Sequence, residues 1–136
     1  MRNMPKSPQA TAHAFVKAIN HRDIEKLWKL MSDEHRFVDS LGTVVQGRDK
    51  MRDGWAGYFS MVPDYTVIVD ETFSDGATVV MLGAAQGTYV KDGQLLKENF
   101  WQTPAAWRAQ IRDEKVAEWR VYADNEPIRQ LMAKNK

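Results

Sequence analysis

The residue best placed to move a proton is Asp39. It closes the run Phe37-Val38-Asp39-Ser40-Leu41-Gly42, where a short apolar strand meets a turn. A carboxyl group desolvated in an apolar hollow has its pKa raised, which suits it to exchange protons with a C–H or O–H acid. The same residue could instead serve the turn, its side chain accepting backbone N–H groups from Ser40-Leu41-Gly42. Cysteine is absent, which removes disulfides, thiolate metal sites and a Cys nucleophile. His13, His21 and His35 lack carboxylate or histidine partners at metal-ligand spacing and are expected on helix surfaces, so no metal is expected. Phosphate loops, a serine elbow and redox motifs are missing as well, and no cofactor is expected.

Aromatic side chains are plentiful: five Trp, five Phe and four Tyr. Trp28, Trp55, Tyr58, Phe59 and Trp119 are candidate walls of a pocket, and each could equally be plain core. As a set they suit a flat, aromatic or polycyclic ligand. In the last strand Trp119, Val121 and Ala123 alternate with Glu118, Arg120, Tyr122 and Asp124. Trp107, Ala109 and Ile111 alternate in the same way with Arg108, Gln110 and Arg112. The apolar sets should face inward and the polar sets share an outer face, with Arg112 paired to Glu118 across the hairpin. Asn99, Trp101 and Gln102 precede Pro104 on a strand that could line the mouth, and Asp124 and Asn125 suit the cap of a last helix.

These residues need elements to hold them. Ser7-Pro8 reads as an N-cap with proline at the first helical position. Ala14, Phe15, Ala18 and Ile19 then keep helical spacing. Asp23 caps a second helix marked by Ile24, Leu27, Trp28 and Met31. Two short strands, Arg36 to Asp39 and Thr43 to Gln46, flank a turn. A third helix carries Met51, Trp55, Tyr58 and Phe59 and ends at Val62-Pro63-Asp64. From Tyr65 the period becomes that of strands. Asp75-Gly76 and Asp92-Gly93 signal hairpins, and a four-strand antiparallel meander follows, with a bulge expected at Pro104. Asn125-Glu126-Pro127 opens a short terminal helix.

A length of 136 residues suits one domain, read as 8–136 after a flexible N-terminus at 1–7. With 43% hydrophobic and 27% charged residues the chain is not of disordered composition. Net charge is +1 with no basic run, which argues against a nucleic-acid partner. Met1 to Ser7 holds no apolar signal-peptide core and no stretch is apolar enough to span a membrane. A cytoplasmic protein with no membrane partner is the expectation.

Helices followed by a curved meander define an α+β chain with helices on one sheet face. The order, with Phe15-Val16…Asp23-Ile24-Glu25, Phe37-Val38-Asp39-Ser40-Leu41-Gly42, Trp55…Tyr58-Phe59 and Lys115-Val116-Ala117-Glu118-Trp119-Arg120-Val121-Tyr122, resembles the nuclear transport factor 2-like superfamily, and more narrowly its SnoaL-like branch. The resemblance covers nearly the whole chain after Ser7. It implies a cystatin/NTF2-like cone, helices packed on a curved antiparallel sheet, with a pocket at its open end. It also implies a homodimer through the outer sheet face, where Tyr122 and the arginines suit an interface.

Aligned with ketosteroid isomerases of that superfamily, Asp39 falls on the catalytic base. The oxyanion-binding tyrosine falls at Phe15, which has no donor, and the protonated acid falls near Trp107. Donors for an enolate would then be Tyr58 or the indole N–H of Trp107 or Trp119. The Asp-Arg-Asp relay of the related epoxide hydrolases has no counterpart within Ala77 to Val90 or at Val121. The Asp–His pairing of the polyketide cyclases finds no histidine in the meander. The resulting expectation is a small apolar or aromatic ligand held by Phe15, Trp28, Trp55, Tyr58, Phe59, Trp101, Trp107, Trp119 and Val121. Asp39 would act as general acid/base in a cofactor-free isomerase, cyclase or lyase. A non-catalytic binding domain and a protein-interaction domain are the alternatives, because this fold hosts many functions.

Overall fold

The computed structural model describes residues 6–135. Helix α1 (Pro8–Asn20) starts where the Ser7 side chain accepts the Ala10 N–H at 3.1 Å, with Pro8 in its first turn. Its Phe15, Val16, Ala18 and Ile19 are buried. Arg22, at φ 53°, turns the chain, and Asp23 caps α2 (Ile24–Leu30) by accepting the Lys26 N–H at 3.1 Å. Met31 was expected on this helix. It is instead the first residue of β1 (Met31–Val38), which follows with no loop. β1 turns into β2 (Val44–Gln46), and α3 (Arg48–Met61) buries Met51, Trp55 and Phe59.

The meander follows as β3 (Thr66–Asp75), β4 (Thr78–Thr88), β5 (Phe100–Arg112) and β6 (Lys115–Ala123), and α4 (Glu126–Lys134) closes the described chain. All three meander pairings are antiparallel. The sheet as a whole is mixed, in the order β2-β1-β6-β5-β4-β3, because β1 joins the last strand in parallel. That pairing carries the first hairpin, and Asp39 with it, to the edge of the meander.

Three local expectations are corrected. Pro104 forms no bulge: β4 and β5 stay in register through Ala84↔Pro104. Pairing with β6 ends at Ala105↔Ala123, so β5 is an edge on that side at Pro104, where the ladder asks for no N–H. The irregularities of the meander lie instead between Gln110 and Ile111 and between Val69 and Glu71. The first sets Gln110 opposite Glu118 and leaves Arg112 opposite Lys115. Glu118 therefore pairs with Arg108 at 3.3 Å, not with Arg112. The Asp92-Gly93 turn closes only a single bridge, Lys91↔Gln94, within a longer loop. A 3-10 turn over Lys97–Asn99 completes that loop before β5.

One core holds the layers together: Phe15, Ile19 and Leu27 from the helices meet Met81, Ala109, Val116 and Trp119 from the sheet. Asn20 ties α1 to the start of β3, its amide bonding both the N–H and C=O of Val67 at 2.8 and 3.0 Å. Gly83 lies where β3 irregularly crosses β4. A Cβ there would stand 1.8 Å from the Ile68 carbonyl oxygen, so the close crossing requires glycine. Of the expected N-terminal arm, residues 1–5 lie outside the described residues; Ser7 belongs to the α1 cap. No helix among the described residues is long and apolar enough to cross a membrane.

Candidate functional site

Between α3 and the inner sheet face lies a partly enclosed cavity of about 360 Å³. β1 and its turn bring Phe37, Asp39 and Ser40, and β2 brings Val45. α3 brings Met51, Trp55 and Tyr58, and the residue leading into β3 is Tyr65. The meander supplies Ala85, Trp101, Thr103, Val121 and Ala123, and Asn125 follows β6. Met51, Trp55, Tyr65, Ala85, Trp101 and Thr103 are buried. Phe37, Asp39, Ser40, Tyr58, Val121 and Asn125 are half-buried and border the opening.

Strand alternation places His35, Phe37 and Asp39 on one face of β1. Asp39 accepts the backbone N–H of Leu41 and of Thr43 through Oδ1, each at 2.9 Å. It therefore fixes the turn and lines the cavity at once. Asp39 forms no ion pair among the described residues. It is the only carboxylate in the lining, which holds no Lys, Arg or His.

The remaining polar side chains of the lining are two indoles, which only donate, and the hydroxyls of Ser40, Tyr58, Tyr65 and Thr103 with the Asn125 amide, which donate and accept. The indole N–H groups of Trp55 and Trp101 are buried without a hydrogen-bond partner among the described residues. Burial pushes the Tyr58 hydroxyl well above the usual phenol range, and the neighbouring Tyr65 pushes it further. Burial does the same to Tyr65, against a small opposing effect of the Trp107 indole. That indole stands close enough to favour the phenolate but outside good hydrogen-bond geometry. Both tyrosines are thus held as protonated donors across the physiological range.

The rings form a continuous wall. Centroids are 6.1 Å apart for Phe37 and Trp55, 6.4 Å for Trp55 and Tyr58, 5.0 Å for Tyr58 and Tyr65, and 6.2 Å for Tyr65 and Trp101. The first three pairs are close to perpendicular, at 77°, 89° and 89°.

Of the expected pocket residues, Trp55, Tyr58, Trp101 and Val121 line the cavity together with Asp39. Phe15, Phe59, Trp107 and Trp119 do not. They are buried in the core beneath it, with Phe15 packed 4.7 Å from Trp119. Trp28 is outside altogether. Arg48 and Arg52 cover its ring at 3.6 and 4.7 Å, and its indole N–H donates to Asp49 at 2.8 Å.

His35, expected on a helix surface, is wholly buried on β1. Its Nδ1 donates to the Val116 carbonyl at 2.7 Å, and its Nε2 has no partner among the described residues. Asn99 is buried away from the cavity and accepts from Asn135 at 3.1 Å, while Gln102 is exposed and bonds Gln86. Asp124 accepts the Glu126 N–H at 2.9 Å at the start of α4, which frees Asn125 to reach Ser40 beside the cavity. Sequence reasoning did not place Phe37, Tyr65, Thr103 or Asn125 in the pocket. Phe37 carried a signal, two residues before Asp39, and so did Tyr65, as the aromatic residue at the helix-to-strand switch.

Helices laid on a curved, unclosed sheet around an aromatic cavity define an NTF2-like α+β protein. The chain belongs to the SnoaL-like domain family, whose model matches residues 12–119. Solved structures share the fold. A protein from Shewanella denitrificans described as a SnoaL-like polyketide cyclase superposes with a TM-score of 0.80 at 17% identity, covering 93% of this chain and 97% of its own. IdmH from Streptomyces antibioticus, described as a polyketide cyclase, gives 0.77 at 19%, covering 94% and 99%. A protein of ketosteroid isomerase-like fold from Catenulispora acidiphila, in complex with trimethylamine, gives 0.76 at 18%, covering 90% and 91%. No curated protein matches the sequence.

Proposed function

We propose that this chain binds a small, largely apolar carbonyl compound inside the cone and moves a proton on it with Asp39, without a cofactor. What carries the reading is a single carboxylate, with only Oδ1 engaged by the turn, bordering a cavity that also holds hydroxyl and indole donors. Asp39 takes a proton from the carbon next to the carbonyl, and the negative charge moves to the oxygen. A hydroxyl of Tyr58 or Tyr65, or the Trp101 N–H, donates to that oxygen. Asp39 then returns the proton: to another carbon of the ligand in isomerisation, to the group the enolate expels in elimination, or to the alkoxide formed when the enolate attacks a second carbonyl in cyclisation. Such donors supply several kcal/mol, on the order of that seen for oxyanion holes. They replace the donor that Phe15 lacks, and they come from α3, β5 and the start of β3. The core indoles of Trp107 and Trp119 are not among them.

The test uses 2-tetralone, a flat aromatic ketone with acidic C–H groups, in D₂O. The wild type is expected to speed deuterium uptake at the ring carbons next to the carbonyl. Asp39→Asn is expected to lose about 100-fold or more of that rate, the usual share of a general base. An unchanged rate in Asp39→Asn removes Asp39 from the chemistry.

A second reading, a binding domain without catalysis, is favoured by the two backbone hydrogen bonds that give Asp39 a structural duty. Native mass spectrometry of protein from its host separates the two, since a ligand retained but never transformed supports binding alone. For assembly we propose a homodimer through the outer sheet face, where Tyr122 and Phe73 are exposed. Light scattering is expected to give twice the chain mass for the wild type and a single chain for Tyr122→Glu. A wild type that is a single chain at micromolar concentration contradicts the dimer.

A further inference from the structure

The cavity has an unusual charge pattern: one carboxylate, five aromatic rings and no cation in its lining. Asp39 has no ion-pair partner among the described residues. The two hydrogen bonds of its side chain both come from the turn and both fall on Oδ1. A ligand closing over Oδ2 strips water from a charge, and a cation offsets that cost more fully than a neutral group does. An anionic ligand would add repulsion.

The rings point the same way. Phe37, Trp55, Tyr58, Tyr65 and Trp101 follow one another within 6.4 Å, and three of the four neighbouring pairs meet near right angles. Rings set this way surround a space with both faces and edges, and ring faces attract cations, most strongly where water is excluded. A primary ammonium ion is a compact, strongly hydrated charge and gives up more water on entering a space walled by rings than an alkylated ammonium does. An alkylated ammonium asks for one acceptor or none, and Oδ2 supplies one.

We propose that the ligand carries a tertiary or quaternary ammonium group, seated among Phe37, Trp55, Tyr58, Tyr65 and Trp101 with Asp39 as its counter-charge. The inference takes from the preceding reading only that the cavity holds a small molecule, not that Asp39 moves a proton.

The experiment compares three probes of one shape by NMR titration of the Trp indole N–H signals. Choline is the cation, 3,3-dimethylbutan-1-ol the neutral isostere and 3,3-dimethylbutanoate the anion. Choline is expected to bind about tenfold tighter than the alcohol, to shift the Trp55 and Trp101 signals and to leave the core indoles of Trp107 and Trp119 nearly unmoved. The anion is expected not to bind. Asp39→Asn should bring the cation and the alcohol to within about twofold of each other. Phe37→Leu, which leaves the turn intact, should weaken choline by several-fold while barely changing the alcohol. Equal or tighter binding of the alcohol overturns the cation proposal and leaves the small-molecule site standing. If neither these probes nor 2-tetralone shifts the Trp55 and Trp101 signals, both fall.

Discussion

Asp39 shows why a residue's structural and chemical duties need not exclude each other. Its side chain satisfies a turn with one oxygen, makes no hydrogen bond with the other among the described residues, and lines the cavity. The residue was legible in the sequence because the resemblance to ketosteroid isomerases sets it on the catalytic base. Tyr65, Thr103 and Asn125 were not, since nothing local says that a strand start and a post-strand asparagine reach the same space. His35 was misplaced for a similar reason: its neighbours Asp33, Glu34 and Arg36 read as surface, and only the parallel pairing with β6 buries it.

That burial has a consequence in pH. Desolvation lowers the His35 pKa below its ordinary value near 6.5, outweighing the Val116 hydrogen bond and the Glu118 charge that raise it. The unfolded chain therefore binds the proton more readily than the folded one. The neutral ring stabilises the fold fully above about pH 6.5, and stability falls as pH drops below that value toward the lower folded pKa. The melting temperature is expected to decline between pH 7 and 5, and more shallowly in His35→Gln. Parallel profiles for the two proteins would show that His35 does not titrate in this window.

At the scale of elements, the caps at Ser7-Pro8 and Asp23 and the hairpin at Asp75-Gly76 were plain, because they act through a few neighbouring atoms, whereas Asp92-Gly93 closes only one bridge. Strand irregularities were not plain. Proline suggested a bulge that the end of β6 made unnecessary, and the real shifts sit at Val69/Glu71 and Gln110/Ile111, where no Gly or Pro marks them. Gly83 is the trace the first shift leaves in the sequence, on the opposite strand. Gly83→Ala is expected to cost about 3 kcal/mol, the upper range for overpacking, because its Cβ would meet backbone that cannot rotate away. Urea unfolding measures it, and a cost under about 0.5 kcal/mol, no more than a neutral surface change, would mean that β3 and β4 can separate there freely.

At the scale of the molecule, the order of helices and strands was enough to predict the α+β cone. The cavity was expected, but its walls were half misassigned. Aromatic residues at inward positions divide into those nearer the opening and those beneath them, and alternation alone does not tell Trp101 from Trp107. Two registers decide it: β5 continues past the end of β6, and α3 lies across the gap.

A ligand that binds inside this cavity must be displaced when the cavity is filled. Ala85, buried in its wall on β4, offers the most direct test. Ala85→Phe should fill the space without touching Asp39, its turn or the outer sheet face. Calorimetric titration with 2-tetralone is expected to give binding to the wild type and none to the folded variant. Undiminished binding to Ala85→Phe would place the ligand elsewhere and contradict the account.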